Sequence, residues 1–178
     1  MLLILFGKIG TGKSTLSENI ANELGFELIR FDDIMWMVFD KDKMYGDNDE
    51  FLLSAEEKQK VYDTMHVIAK YFLKQNKSVI LESVYFKEQR KQAVNIAKSL
   101  NKKYQLIEVV CDEQEIKKRL EKRKIKNAQT PGFNLYLQYN DKHLAPSEKE
   151  ESQHIVIDTT SKTIKESTSE LVTLLKRA

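Results

Sequence analysis

A three-layer α/β domain with a parallel sheet is the fold the sequence predicts, and three observations carry the prediction. Short apolar or β-branched runs alternate with amphipathic helical stretches along the chain, and strands in that rhythm are joined by crossovers that cover both faces of a parallel sheet. The first apolar run breaks into "GKIGTGKST", a glycine-rich loop with a lysine and hydroxyls before the next helical stretch. The chain has 178 residues, 41% hydrophobic and 31% charged, which suits one core in a single domain spanning 1–178.

Taken in order, Leu2 to Phe6 reads as a buried strand, too short for a membrane span or a signal-peptide core. Residues 26–31, 78–81, 104–110 and 154–157 read as four further strands. Between them Val61, Met65, Ile68, Ala69 and Phe72 form one helical stripe, and Ala93, Ile96, Ala97 and Leu100 form another. Ile116 with Leu120, then Ile164, Thr168, Leu171 and Leu175, complete the set. The irregular stretch 124–147 holds both prolines, Pro131 and Pro146, with Gly132, and reads as a lid excursion around 120–147 instead of a domain boundary.

Charge excludes little. With 29 basic and 27 acidic side chains, the overall balance gives no argument for nucleic acid or a membrane surface, so any basic site must be local. The single cysteine, Cys111, rules out an internal disulfide, fits a reducing cytoplasm, and reads as a small core residue at a strand end.

The loop after the first strand is specific. Gly7, Gly12, Lys13 and Ser14 satisfy G-x-x-x-x-G-K-[ST] between a strand and a helix, the setting that the P-loop requires. Its glycines, with Gly10 and Thr11, let backbone N–H groups turn inward as an anion nest, and the helix N-terminus adds partial positive charge. Lys13 supplies a mobile cation for the β- and γ-phosphates, Ser14 a hydroxyl ligand for Mg²⁺, and Thr15 continues the cradle. ATP and Mg²⁺ are the implied cofactors. Gly7, at the edge of the cradle, is expected to matter less than Gly12.

Three further features separate the classes of P-loop protein. A guanine-reading Asn-Lys-x-Asp is missing, because Asn101-Lys102-Lys103-Tyr104 lacks the aspartate. Asp32 and Asp33 follow the second strand, where a carboxylate can take an acceptor hydroxyl's proton or hold metal-bound water; alternatively either aspartate caps a helix beginning near Ile34. Asp32 is assigned to chemistry and Asp33 to capping or support. Glu82 ends the third strand, where an acid orients Mg²⁺, and Ser83 beside it is a substrate contact or a turn residue. Arg119 and Arg123, four apart beside the Ile116/Leu120 stripe, can hold phosphates as a lid closes; Lys117, Lys118, Lys122 and Lys124 read as a solvated face.

With these residues in view, the chain resembles the small P-loop kinases grouped with zeta toxins, chloramphenicol phosphotransferases and the kinase domain of phage polynucleotide kinase, often described only as AAA-type ATP-binding proteins. The P-loop carries the resemblance most specifically. Looser elements are Asp32-Asp33, the helix around Glu56 to Tyr62, Val79-Ile80-Leu81-Glu82 followed by Arg90, Arg119 with Arg123, and Ile155-Val156-Ile157-Asp158-Thr159. The resemblance implies a five-stranded sheet in the order 2-3-1-4-5 and a helical lid. It also implies Asp32 activating the acceptor, Glu82 supporting it where the family has Asp, Arg90 on the substrate side, and Asp158 to Ser161, with Thr159, near the adenine.

The acceptor is less sharply written. Ile34-Met35-Trp36-Met37 lacks the basic residue that would grip nucleic acid after the aspartates, which argues against a polynucleotide. Trp36, the only tryptophan, can stack on an acceptor ring or sugar, or simply pack. Residues 41–49 read as a mobile acceptor-side loop of mixed charge. The expected activity is transfer of the ATP γ-phosphate to a hydroxyl of a small or nucleoside-like acceptor; a non-catalytic ATP-binding switch and a zeta-toxin-like sugar-nucleotide kinase are the alternatives.

Overall fold

The first strand explains the layering. In a computed structural model, which describes residues 1–39, 44–46, 50–126, 130–140 and 154–176, β1 (Leu2–Phe6) is wholly buried. Side chains alternate across a strand, so Leu2, Ile4 and Phe6 join one core with Met65, Ala69, Ala93 and Ala97, while Leu3 and Leu5 join another with Leu16, Ile20 and Leu171. An apolar run without alternation is what a strand with helices on both faces demands.

The sheet has five parallel strands in the order β2-β3-β1-β4-β5, as the resemblance implies. β2 is Glu27–Arg30, β3 Val79–Glu82, β4 Tyr104–Val110 and β5 His154–Asp158. The helices are α1 (Lys13–Leu24), α2 (Phe31–Val38), α3 (Ala55–Lys74), α4 (Lys87–Ser99), α5 (Glu113–Lys126), α6 (Phe133–Asn140) and α7 (Ile164–Leu175). Two of them start on reciprocal caps. Ser54 Oγ accepts from the Glu57 N–H at 3.2 Å while the Ser54 N–H donates to Glu57 Oε2 at 2.8 Å, and Thr163 with Glu166 repeats the pattern at α7.

Several boundaries shift by one residue from the sequence expectation. The second strand begins at Glu27 and stops at Arg30, so that Phe31 already belongs to α2; the third begins at Val79 and includes Glu82; the fifth runs on through Asp158. Parts of two anticipated segments, 41–43 and 47–49 of the acceptor-side loop and 127–129 and 141–147 of the lid, lie outside the described residues. Within the lid stretch α6 is regular helix, and in the loop Tyr45 forms an isolated antiparallel bridge with Phe51. Among the described residues no helix is long and apolar enough to cross a membrane.

Candidate active site

The parallel order brings the carboxyl ends of β1, β3 and β2 to one edge, where β1 runs into the glycine loop, β3 ends at Glu82 and β2 passes straight into α2. Loops at such an edge build ligand sites in open α/β sheets. A cavity of ≈ 290 Å³ opens there, lined by the loop from Gly12 to Thr15, by Asp32, Glu82 and Ser83, and by Arg123.

The loop is held in shape from within. Gly10 and Gly12 have φ of 84° and 94°, a region where glycine carries no steric penalty. The Thr11 hydroxyl and the Lys13 ammonium both donate to the Lys8 carbonyl, at 2.9 Å and 2.8 Å. Gly12 is the N-cap of α1, no side chain caps that helix, and its first turn has no acid. The end of α1 thus offers uncompensated N–H groups and a positive dipole end to the cavity, an arrangement that accommodates phosphate. Ser14 and Thr15 stand exposed at its mouth.

Gly7 is tied to the sheet. Its φ is 147°, and a Cβ there would collide with the Val109 carbonyl of β4, whereas a Cβ on Gly12 meets nothing closer than Arg119 Nη1 at 3.6 Å. Gly7 is therefore required by the close approach of the loop to β4, and Gly12 by its own φ of 94°, which strains any L side chain.

Lys13, Asp32 and Glu82 share one end of the cavity with Arg123 beside them. Burial pulls the Lys13 pKa down, and the charges of Glu82 and Asp32 oppose that pull. Burial pushes Glu82 up to about 7, with the negative charge of Asp32 adding to the shift and Lys13 and a hydrogen bond from Ser14 opposing it. Asp32 is raised as well: desolvation by the surrounding protein, with the charge of Asp33 adding to it, outweighs Lys13, Arg123 and Arg30, while the residue keeps an exposed surface at the cavity it lines. A buried ammonium flanked by two acids whose ionisation burial opposes suits a site that exchanges ions with a ligand.

The Glu82 shift has a measurable sign. Between its usual 4.5 and about 7 the folded chain holds a proton that the unfolded chain releases, so this group's stabilisation is full below pH 4.5 and is lost as pH rises through 7. His66 acts in the opposite sense. Burial lowers it from 6.5 to about 4, so its contribution is lost as pH falls through that interval. Glu82→Gln should therefore gain stability over the parent progressively as pH rises from 4.5 to about 7, by up to about 3 kcal/mol, in denaturant unfolding series at stepped pH. A pH-independent difference between the two proteins would show that Glu82 does not carry the proton.

Neither aspartate caps a helix. The N-cap of α2 is Arg30, which places Asp32 and Asp33 in the first helical turn, where a carboxylate is favoured by the helix dipole. Asp33 accepts from Arg30 Nε at 2.7 Å and from Nη2 at 3.0 Å, and Arg30 also pairs with Glu18 of α1. This bidentate clasp takes Asp33 into a support role and leaves Asp32 facing the cavity.

The two arginines of α5 divide the work expected of them jointly. Arg123 lines the cavity beside Lys13 and Asp32, whose ionisation it influences. Arg119 is engaged as a brace: Nη1 donates to Thr159 Oγ1 at 3.1 Å, Nη2 to the Thr159 carbonyl at 2.7 Å, and Nε to Glu115 at 3.0 Å. The Thr159 hydroxyl in turn donates to the Thr11 carbonyl at 2.7 Å, which ties the loop after β5 to the glycine loop.

Two proposed substrate contacts are placed elsewhere. Arg90 is fully buried in α4, with its guanidinium 4.8 Å from the Phe6 ring centroid and Nη1 donating to the Tyr85 carbonyl, so it supports the sheet from below and does not line the cavity. Trp36 is half-exposed on α2 and is not a lining residue either. Ser83 does line it, sharing a 2.9 Å hydrogen bond with the Tyr62 hydroxyl. The residues missed in the sequence are aromatic. Phe31, Tyr45, Phe51, Tyr62, Phe86 and Tyr139 converge on the cavity from five separate segments, with no local spacing to announce them.

A family model described as an AAA domain matches residues 2–134. A search of curated proteins returned no match. Among solved structures, a sugar kinase from Janibacter sp. HTCC2649 superposes with a TM-score of 0.77 at 18% identity, over 98% of this chain and 94% of that one. A gluconokinase from Sinorhizobium meliloti 1021 gives 0.72 at 16%, over 98% and 91%. The APS kinase of Mycobacterium tuberculosis, solved with AMPPNP and APS, gives 0.63 at 14%, over 98% and 96%. At these identities the likeness is one of fold. The AAA-domain match, by contrast, takes in the glycine loop, Asp32, Glu82 and both α5 arginines, and it covers most of the sequence: the chain belongs to the AAA domain family and has the architecture of a small P-loop kinase.

Proposed function

We propose that the protein is an ATP-dependent phosphotransferase that moves the γ-phosphoryl group to a hydroxyl of a small acceptor. The observation that carries this reading is the grouping of Lys13, Asp32 and Glu82 at one end of a cavity whose other end is walled by side chains unrelated to phosphate binding. A nucleotide-binding switch needs the first end only; a second, differently lined end beside a carboxylate fits a second substrate.

The uncapped end of α1 and the Lys13 ammonium receive the triphosphate and draw charge toward the bridging oxygen that leaves with ADP. Asp32, with its raised pKa, accepts the hydroxyl proton as the acceptor oxygen bonds to phosphorus and the bond from phosphorus to the β–γ bridging oxygen breaks. Arg123 adds positive charge on the lid side. Mg²⁺, when bound, neutralises phosphate charge; Ser14 and Glu82 would hold it.

The test is ADP release from ATP with and without a pooled library of small metabolites, followed by product masses read for the gain of one phosphate. Acceptor-dependent release with a phosphorylated product is expected. Release at one rate regardless of the library would make the protein an ATPase, and no release at all would return it to the switch reading.

A further inference from the structure

The acceptor end of the cavity is built from rings. Phe31 of α2 packs on Tyr62 of α3 with centroids 4.8 Å apart, Tyr45 packs on Phe51 at 5.4 Å, and Phe86 stacks on Tyr139 of α6 at 5.8 Å and 17°. These three pairs come from different elements yet all border the same space as Asp32. Aromatic walls bind flat, apolar bodies, because ring faces and edges pair with another π-system and neither offers hydrogen bonds in number.

The polar side chains at that end are few: Lys58, Gln59, Ser83 and Gln89, beside the hydroxyls of the tyrosines. Of the three cations lining the cavity among the described residues, Lys13 sits with the carboxylates, Arg123 acts on Lys13 and Asp32 as well as on Tyr45, and Lys58 stands among the rings. Its ammonium lies 4.7 Å from the Phe51 centroid and 5.7 Å from that of Tyr139, and donates to the Tyr139 hydroxyl at 3.1 Å. A cation resting on ring faces is partly satisfied there, and one such group does not make the clamp of several that a phosphate or sulfate on the acceptor needs. The Gln59 amide nitrogen is likewise engaged, donating to Asp63 at 2.8 Å and to Gln92 at 3.2 Å. A polyol or sugar, with a hydroxyl on nearly every carbon, would leave most of them unpaired against phenyl rings.

We infer that the acceptor is an alcohol carried on a planar ring system and bearing no phosphate or sulfate of its own, such as an unphosphorylated nucleoside or an aryl alcohol, with the ring held against the aromatic wall that Tyr45, Phe51, Phe86 and Tyr139 build around Lys58. The inference rests on the phosphotransferase reading for the word acceptor, but the ring preference of the cavity stands on its walls alone. The Tyr45 and Tyr62 phenols are pushed well above their usual pKa by burial and stay neutral, so they add no repulsion to an uncharged ring.

The experiment has a binding arm and a transfer arm. In the first, thymidine, adenosine and 2-phenylethanol are titrated calorimetrically into the protein with AMPPNP and Mg²⁺ present, beside ribitol, gluconate, TMP and AMP. In the second, the same compounds are offered with ATP and the products are weighed by mass. The ring alcohols are expected to bind at least tenfold tighter than the polyols and monophosphates, and to be the compounds phosphorylated. Preference for a polyol or a monophosphate, or no binding by any ring alcohol, overturns the inference while leaving a kinase intact. Ring alcohols that bind but receive no phosphate would sink the phosphotransferase reading and leave the ring site standing. Phe51→Leu keeps the apolar volume without the ring and should raise KM for the preferred ring alcohol about tenfold with kcat little changed, and Phe51→Tyr should restore it. Equal KM values in parent and Phe51→Leu, with AMPPNP affinity confirming the fold, would remove the ring wall from the argument.

Discussion

Asp32→Asn is expected to lower acceptor-dependent turnover roughly 10²–10⁴-fold while ATP affinity stays within a few-fold of the parent. The amide keeps the shape of the side chain and cannot take a proton from the acceptor. Because Asp32 lies in the first turn of α2 and caps nothing, little stability should be lost with it. Steady-state kinetics with the identified acceptor, paired with equilibrium binding of AMPPNP, separates the two quantities. Asp33→Asn is the control: it weakens the clasp on Arg30 and should cost stability more than rate. Were Asp33→Asn the inactivating change, the base would be one residue further along; were neither to matter, the proton would go to Glu82.

Lys13→Ala should abolish measurable transfer and weaken triphosphate binding by at least tenfold, the largest combined effect of any single change in the site. Two losses coincide. The phosphate end loses its buried ammonium, and Glu82 and Asp32 lose the positive charge that opposes their neutralisation. Both carboxyls should then titrate still higher, so the residual affinity for ATP should fall further as pH rises and they ionise beside the phosphates. Calorimetric titration of the variant with ATP across neutral pH checks both statements. Unchanged affinity would remove the phosphate cradle from the account.

The sequence disclosed the fold and the phosphate end because both are written locally. Each strand announces itself by a few apolar residues, and the glycine loop requires glycine at fixed intervals regardless of what surrounds it. The start of α2 was less legible. Aspartate is at home both as a cap and in a first helical turn, so Arg30-Phe31-Asp32-Asp33 fits either register until the Arg30–Asp33 clasp is seen. Arg90 misled for a related reason. An arginine soon after a strand end looks poised over a site, and only the packing of α4 shows its guanidinium turned beneath the sheet onto Phe6. The aromatic wall was invisible because Tyr45, Phe51, Tyr62, Phe86 and Tyr139 become neighbours by tertiary packing, and in sequence each reads as an ordinary core residue.

The brace from Thr159 to the Thr11 carbonyl joins positions 148 residues apart. Its consequence concerns biosynthesis. β1 and the glycine loop leave the ribosome first, but β1 is the middle strand, and its neighbours β3 and β4 are made much later. Even then the loop lacks its lock until Thr159 has emerged, with Arg119 waiting on α5 for the same residue. A nascent chain therefore carries the complete phosphate-binding motif without the pins that hold it in shape until β5 and the residue after it have been made. Chains stalled before β5 should be poor ligands for immobilised ATP, and nucleotide capture waits on the strand farthest along the chain.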